Sequence, residues 1–264
     1  MKIRTFAWYA ALVCSLVFAG SLLSQQNAPR KADEAAVKTS LDRASILRNF
    51  EVKNTKGEQL GRVRDFLIDV RAGRVLYAVV GHGGTLGIGE KYVAVPLHAL
   101  RIETAKDQPK ERYFVLDMDA ATFANNPGFN KDDWPIAPEQ HFLKVKAPPV
   151  DDKTLVRRAT VLIGMAAKNA KGESLGTIRD LMIDVQQETV IYAALGHGGG
   201  VLTAEKLFAV PFDAMEVKSL TGRADDECCV LNVENATLDQ QAGFNNNQWP
   251  TEGDRTIFKN DAKR

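Results

Sequence analysis

One stretch of this chain occurs twice. Residues 43–135 align with residues 158–250 at a constant offset of 115, without a gap, and about two positions in five are identical. Lys53-Asn54 matches Lys168-Asn169, and Gly81-His82-Gly83-Gly84 matches Gly196-His197-Gly198-Gly199. Ala94-Val95-Pro96 matches Ala209-Val210-Pro211, and Trp134-Pro135 matches Trp249-Pro250. A duplication this regular means that both copies take one fold. It divides the 264 residues around two units of 93, each long enough to bury a small core. A residue present in only one copy is not required by the shared scaffold.

Hydrophobic and charged fractions of 45% and 25% are those of an ordinary globular protein, and a net charge of +1 gives no footing for a nucleic-acid partner. The two copies differ in charge. The first carries 14 basic and 12 acidic residues and the second 7 and 12, so the two surfaces have diverged more than the apolar pattern beneath them.

Lys2 and Arg4 precede an uncharged apolar run over residues 6–23. That order of charge and hydrophobicity is the pattern of a secretory signal, with small residues near 19 and 24 for cleavage. The run also reaches the lower limit for an uncleaved membrane anchor. Either reading places the folded part outside the cytoplasm: periplasmic or exported, free or held at the inner membrane by residues 6–23. The only other cysteines besides Cys14 are the adjacent Cys228 and Cys229, which read as two small buried side chains.

Within each copy, short apolar runs alternate with turn residues. Residues 46–52 read as a first short strand, and Asn54-Thr55-Lys56-Gly57 as a turn with glycine at the position needing positive φ. Residues 60–70, 75–80, 92–95 and 113–116 follow as strands, matched by 177–185, 190–195, 207–210 and 228–231. Only 119–126 and 235–241 read as helical. Asp69 and Asp184 each precede a reversal and read as turn caps.

The order Gly57-Glu58-x-Leu60-Gly61, Arg64-Asp65-x-x-Ile68-Asp69, Val75-x-Tyr77-Ala78, Gly81–Gly84 and Val93-Ala94-Val95-Pro96 resembles the PRC-barrel family. The likeness covers about 65 residues of each copy, with Gly-Phe-Asn-x-x-x-Trp-Pro tails beyond it. It implies a mostly β protein: two tandem small antiparallel β-barrels with short helical C-terminal extensions, behind an N-terminal signal or anchor helix. The expected organisation is a signal or anchor over 1–24, a flexible linker over 25–42 and a first barrel over 43–135. A Pro-containing linker over 136–157, a second barrel over 158–250 and a polar tail over 251–264 complete it. The resemblance also implies a binding or assembly module with no general catalytic residue.

Two fragments of an esterase signature occur in the second copy. Gly172-Glu173-Ser174-Leu175-Gly176 fits a nucleophile elbow and His197-Gly198-Gly199-Gly200 an oxyanion loop. Their order is inverted, the serine turn opens a strand where a helix is required, and the first copy has Gln59 and Thr85 at the positions of Ser174 and Gly200. Hydrolysis is the weakest of the readings. The better candidates are His82, Glu90 and Lys91 with their counterparts His197, Glu205 and Lys206. Each imidazole sits in a glycine run that permits close approach, and a carboxylate and an ammonium follow on the same loop. A small ligand or a metal would use them in one reading. In the other, the glycines supply positive φ while the histidine bonds the backbone. Isolated histidines lack the paired spacing of a metal site, so no metal and no cofactor is expected.

The leading expectation is an exported, non-enzymatic module that binds unidentified envelope proteins and serves assembly or envelope maintenance. Intramolecular pairing of the two barrels remains open at this level.

Overall fold

The computed structural model describes residues 40–84, 89–130, 134, 149–200, 203–219 and 226–259. The expected signal or anchor, residues 25–39 of the first linker and residues 136–148 of the second lie outside them. Among the described residues, no helix is long and apolar enough to cross a membrane.

The first copy comprises β1 (Leu41–Arg43), α1 (Ala44–Leu47), β2 (Glu51–Lys53), β3 (Gln59–Asp69), β4 (Arg74–His82), β5 (Lys91–Pro96), β6 (Leu100–Ala105), β7 (Gln108–Leu116) and α2 (Ala120–Ala124). The second repeats it as β8 (Val156–Arg158), α3 (Ala159–Leu162), β9 (Ala166–Asn169), β10 (Ser174–Asp184), β11 (Thr189–Gly200), β12 (Thr203–Pro211), β13 (Met215–Ser219), β14 (Glu227–Leu231) and α4 (Asn235–Gln240). A 3-10 turn, Leu97–Ala99 or Phe212–Ala214, joins the fifth strand of each copy to the sixth. The architecture is mostly β, as the alternating apolar pattern requires. Several details differ from the sequence reading, among them strands β6 and β13, which it did not include. Residues 46 and 47, expected to open the first strand, belong instead to a helical turn over 44–47, with its counterpart at 159–162. The sheet is antiparallel except at β2–β7 and β9–β14, which run parallel.

Local chemistry explains the hairpins. The Asn54 side-chain oxygen accepts the Lys56 and Glu58 amides at 3.0 and 2.9 Å, and Asn169 does the same for Lys171 and Glu173 at 3.0 and 2.9 Å. Gly57 and Gly172 follow at φ 84° and 83°, a region that side chains avoid. At the next reversal, Asp184 Oδ1 accepts the Gln186 and Gln187 amides, and Asp69 Oδ1 accepts the Arg71 amide. Ser174 opens β10, so no helix springs from it.

The two copies interlock. β1 does not extend the sheet of its own copy; it pairs with β10, Leu41 opposite Asp184, while β8 pairs with β3, Val156 opposite Asp69. Val75 N–H donates to the Glu188 carbonyl at 2.8 Å and Val190 N–H to that of Gly73 at 2.9 Å. Every one of these contacts has its counterpart at an offset of 115. The result is one fourteen-stranded sheet among the described elements, and one continuous apolar core containing Phe66 and Phe114 as well as Leu181 and Phe208. Pairing across the copies, left open by the sequence, is what the fold is built on.

Two aspartates secure the exchange. α1 and α3 begin after Arg43 and Arg158, neither of which caps the helix with its side chain. The cap comes from the other copy. Asp65, 2% exposed, accepts the Thr160 amide at 3.1 Å and its hydroxyl at 2.5 Å. Asp180, 4% exposed, accepts the Ser45 amide at 3.1 Å and also its hydroxyl. An oxygen that satisfies an otherwise orphaned first-turn amide is ordinarily supplied by the preceding residue. Here it crosses between repeats, and the arginines are released to lie over Trp249 and Trp134 of the opposite copy, 4.8 and 4.6 Å from the ring centres. A β-bulge at Arg64, and another at Arg179, shifts the alternation so that the following aspartate faces inward.

Candidate functional site

The Gly-His-Gly-Gly stretches end β4 and continue β11. The structure does not bring the two histidines together. β4 and β11 meet at Arg74 and Thr189. They leave that junction in opposite directions, and each histidine lies eight residues along its strand, about 25 Å when extended.

In the second copy the candidate side chains are tied to the protein itself. His197, 7% exposed, faces the Leu175 carbonyl with Nδ1 at 2.7 Å and the Asp239 carboxylate with Nε2 at 3.0 Å. Its imidazole thus links the edge of β10 to α4. Lys206 donates from Nζ to the carbonyls of Asp239 and Gln241 at 2.7 and 2.8 Å, closing the C-terminus of α4 where unpaired carbonyls attract a cation. Glu205 Oε1 accepts Arg179 Nε at 2.8 Å and Nη2 at 2.5 Å.

The first copy keeps the carboxylate pair and loses the imidazole link. Glu90 Oε1 accepts Arg64 Nε and Nη2 at 2.9 and 2.6 Å. This pair lies across Gly81, where a methyl group would sit 2.7 Å from the Glu90 carboxyl carbon; Gly196 meets Glu205 at the same distance. Glycine at that point of the motif makes room for the ion pair. His82 packs edge-on against Phe123 at 5.3 Å, and its Nε2 is buried without a hydrogen-bond partner. The reason is one substitution: Ala124 stands where the second copy has Asp239. Burial first, then the Lys91 ammonium, hold the His82 pKa below its usual value, against the opposing pull of Glu90. Exchange of His197 for phenylalanine is expected to destabilise the protein by about 1–3 kcal/mol, through loss of one buried and one half-buried bond. The same exchange at His82 should be neutral or mildly stabilising, since an orphaned polar atom is replaced by apolar surface. Chemical denaturation of the two variants checks the contrast.

The matched aromatic tails fold back onto the fifth strand of each copy. Phe129 exchanges backbone hydrogen bonds with Tyr92 at 2.8 and 3.0 Å, and the Phe244 amide donates to Leu207 O at 2.7 Å. Gly128 and Gly243, at φ 55° and 69°, permit that approach, with Tyr92 O and Leu207 O only 2.5 and 2.6 Å from where a methyl group would sit. Phe129 and Trp134 meet at 5.4 Å and Phe244 and Trp249 at 5.1 Å. The Tyr192 hydroxyl donates to the Pro250 carbonyl at 2.8 Å, and burial pushes its pKa up. Cys228 and Cys229 are buried free thiols, and burial likewise raises that of Cys229. Among the described residues, no three His, Cys, Asp or Glu side chains gather as metal ligands would.

The residues that sequence reasoning overlooked are the latching pairs, Ser45 with Asp180 and Thr160 with Asp65. The usable signal was there: both aspartates recur at the offset, and 45 and 160 are both hydroxyl residues.

A family model described as PRC-barrel domain matches residues 41–119 and again 156–224, more than half of the chain. No curated protein matches it. Both matched segments begin at the first residue of an exchanged strand, two positions upstream of the limits that residue identity suggests.

Proposed function

The chain belongs to the PRC-barrel domain family, and on that basis we propose that it is an exported, non-enzymatic module that binds envelope proteins and serves their assembly or upkeep. One observation carries the reading. The polar side chains of the second repeated loop, the best candidates for chemistry, are engaged in holding the fold: His197 to β10 and α4, Lys206 to the end of α4, Glu205 to Arg179. What the interlocked pair offers a partner is a fixed composite surface. Export rests on the basic residues and apolar run at residues 2–23. Crosslinking in the native envelope, followed by mass spectrometry, tests the reading. Covalent adducts to an envelope protein are expected; recovery of the free monomer alone would remove its support.

Ligand or metal binding at the first loop has one point in its favour, the partnerless Nε2 of His82. Thermal unfolding in zinc, copper and nickel tests it. The adaptor reading expects no upward shift with any of the three, and a saturable increase abolished by His82→Phe would favour the ligand reading.

A further inference from the structure

Two clefts lie where one copy meets the other, and they are related by the duplication. Every residue lining the smaller has its counterpart at an offset of 115 in the larger. Their volumes are about 400 and 1080 Å³. The difference has a local cause. The smaller cleft is crossed by His98 of one copy and Glu188 of the other, Nδ1 to Oε2 at 3.8 Å. Glu188 reaches across from a left-handed backbone, φ 56°, a conformation unusual for a side-chain-bearing residue. In the larger cleft the corresponding residues are Gly73, which has nothing to extend, and Asp213, which is turned away to Arg255 at 3.1 Å. The scaffold tolerates closure at this place, yet one of its two clefts stands open.

The open cleft runs along a strand edge. Four consecutive residues of β13, Met215 to Lys218, line it. β13 ends the strand order, with β14 as its ladder partner among the described residues. Among the described residues no strand pairs with its other edge, and an unpaired edge is the template to which an extended chain adds. Met215 is buried and Val217 packs on the core, while Glu216 and Lys218 pair with each other at 2.8 Å. Asp213 is likewise matched with Arg255. The cations left over are Arg71, whose guanidinium donates to a carbonyl, that of Lys153, and Lys259. No carboxylate pairs with either among the described residues. Among the described residues the cleft therefore combines an unpaired β edge, an apolar floor and two positive charges with no carboxylate partner.

We infer that this cleft takes an extended acidic segment of a partner protein, added as a strand to the edge of β13. The inference rests on the binding-module reading and names the kind of partner it serves. The probe is a fluorescein-labelled octapeptide alternating valine with aspartate, compared with one alternating valine with lysine, in fluorescence anisotropy on the full chain. The acidic peptide should bind at least tenfold more tightly and slow amide exchange over residues 215–219. Arg71→Glu with Lys259→Glu should weaken it at least tenfold and admit the lysine peptide in its place, a reversal that misfolding does not produce. Gly73→Glu with Asp213→His, which recreates the crossing of the closed cleft, should abolish binding of the acidic peptide. Binding of neither peptide, equal binding of both, or exchange protection away from β13 would overturn the inference. The broader reading fails separately. Envelope crosslinks that join a partner to other surfaces would sink the cleft and spare the module, whereas absence of any partner would sink the module itself.

Discussion

Asp65→Ala is expected to destabilise the protein by about 2–4 kcal/mol, because it strands buried donors of both copies at once. The Thr160 amide and hydroxyl and the Phe66 amide all lose their acceptor. Asp65→Asn should behave differently. Its carbonyl oxygen replaces Oδ1, which accepts both amides, and its NH2 group donates to the Thr160 hydroxyl in place of Oδ2. Near-native stability is expected. The two variants also differ from the wild type in pH dependence. Burial, opposed by the bonds from Thr160 and Phe66 and by the Arg48 charge, raises the Asp65 pKa above its ordinary 3.8. The native state therefore holds this proton to higher pH than the unfolded chain does, and the wild type loses stability as pH rises from 3.8 through the native value. Asn cannot titrate. The stability of the wild type minus that of Asp65→Asn should fall across that window, measured by denaturant titration at several pH values; a difference that rose instead would contradict the assignment.

The second large effect concerns an ion pair whose sign was reversed between copies. Arg112 donates to Asp42 at 2.6 Å, and at the equivalent positions Arg157 donates to Glu227, Nε to Oε2 at 2.7 Å. In each copy this pair fastens the exchanged strand to the barrel it came from, while the strand's backbone serves the other. Arg112→Glu alone places two carboxylates together in a partly buried site and should cost about 2–4 kcal/mol. Adding Asp42→Arg recreates the arrangement of the second copy and should restore stability to within about 1 kcal/mol. The double-mutant cycle measured by chemical denaturation decides. Additive losses would mean that the two side chains are not coupled.

Much of the fold was legible because local chemistry and repetition agree. Asn54 and Gly57 announce their turn, and the apolar alternation of β3 and β4 announces a sheet. Both signals are doubled at the offset, which separates them from chance. The exchange of β1 and β8 was not legible. Its bonds are between backbones, so Leu41-Asp42-Arg43 and Val156-Arg157-Arg158 share only the final arginine, and identity fades where the interface begins. The inward turn of Asp65 was not legible either, because alternation gives no warning of the bulge at Arg64. With the bulge in place, Arg64 turns to Glu90 and Asp65 into the interface. Of the loop residues, the imidazole that bonds the backbone was anticipated as one reading of His197. The difference between His82 and His197 was not, since it depends on residues 124 and 239, forty-two positions downstream.

If the two barrels form one interlocked body, their unfolding must coincide. Trp8→Phe with Trp249→Phe leaves Trp134 to report on the first copy, and Trp8→Phe with Trp134→Phe leaves Trp249 to report on the second. Followed by fluorescence in denaturant, each variant should lose both barrels in one cooperative transition, with a midpoint that matches far-ultraviolet circular dichroism of the same sample. A tryptophan signal that parted from the circular dichroism, with one barrel melting while the other stayed folded, would show that the reciprocal strands do not bind the copies together.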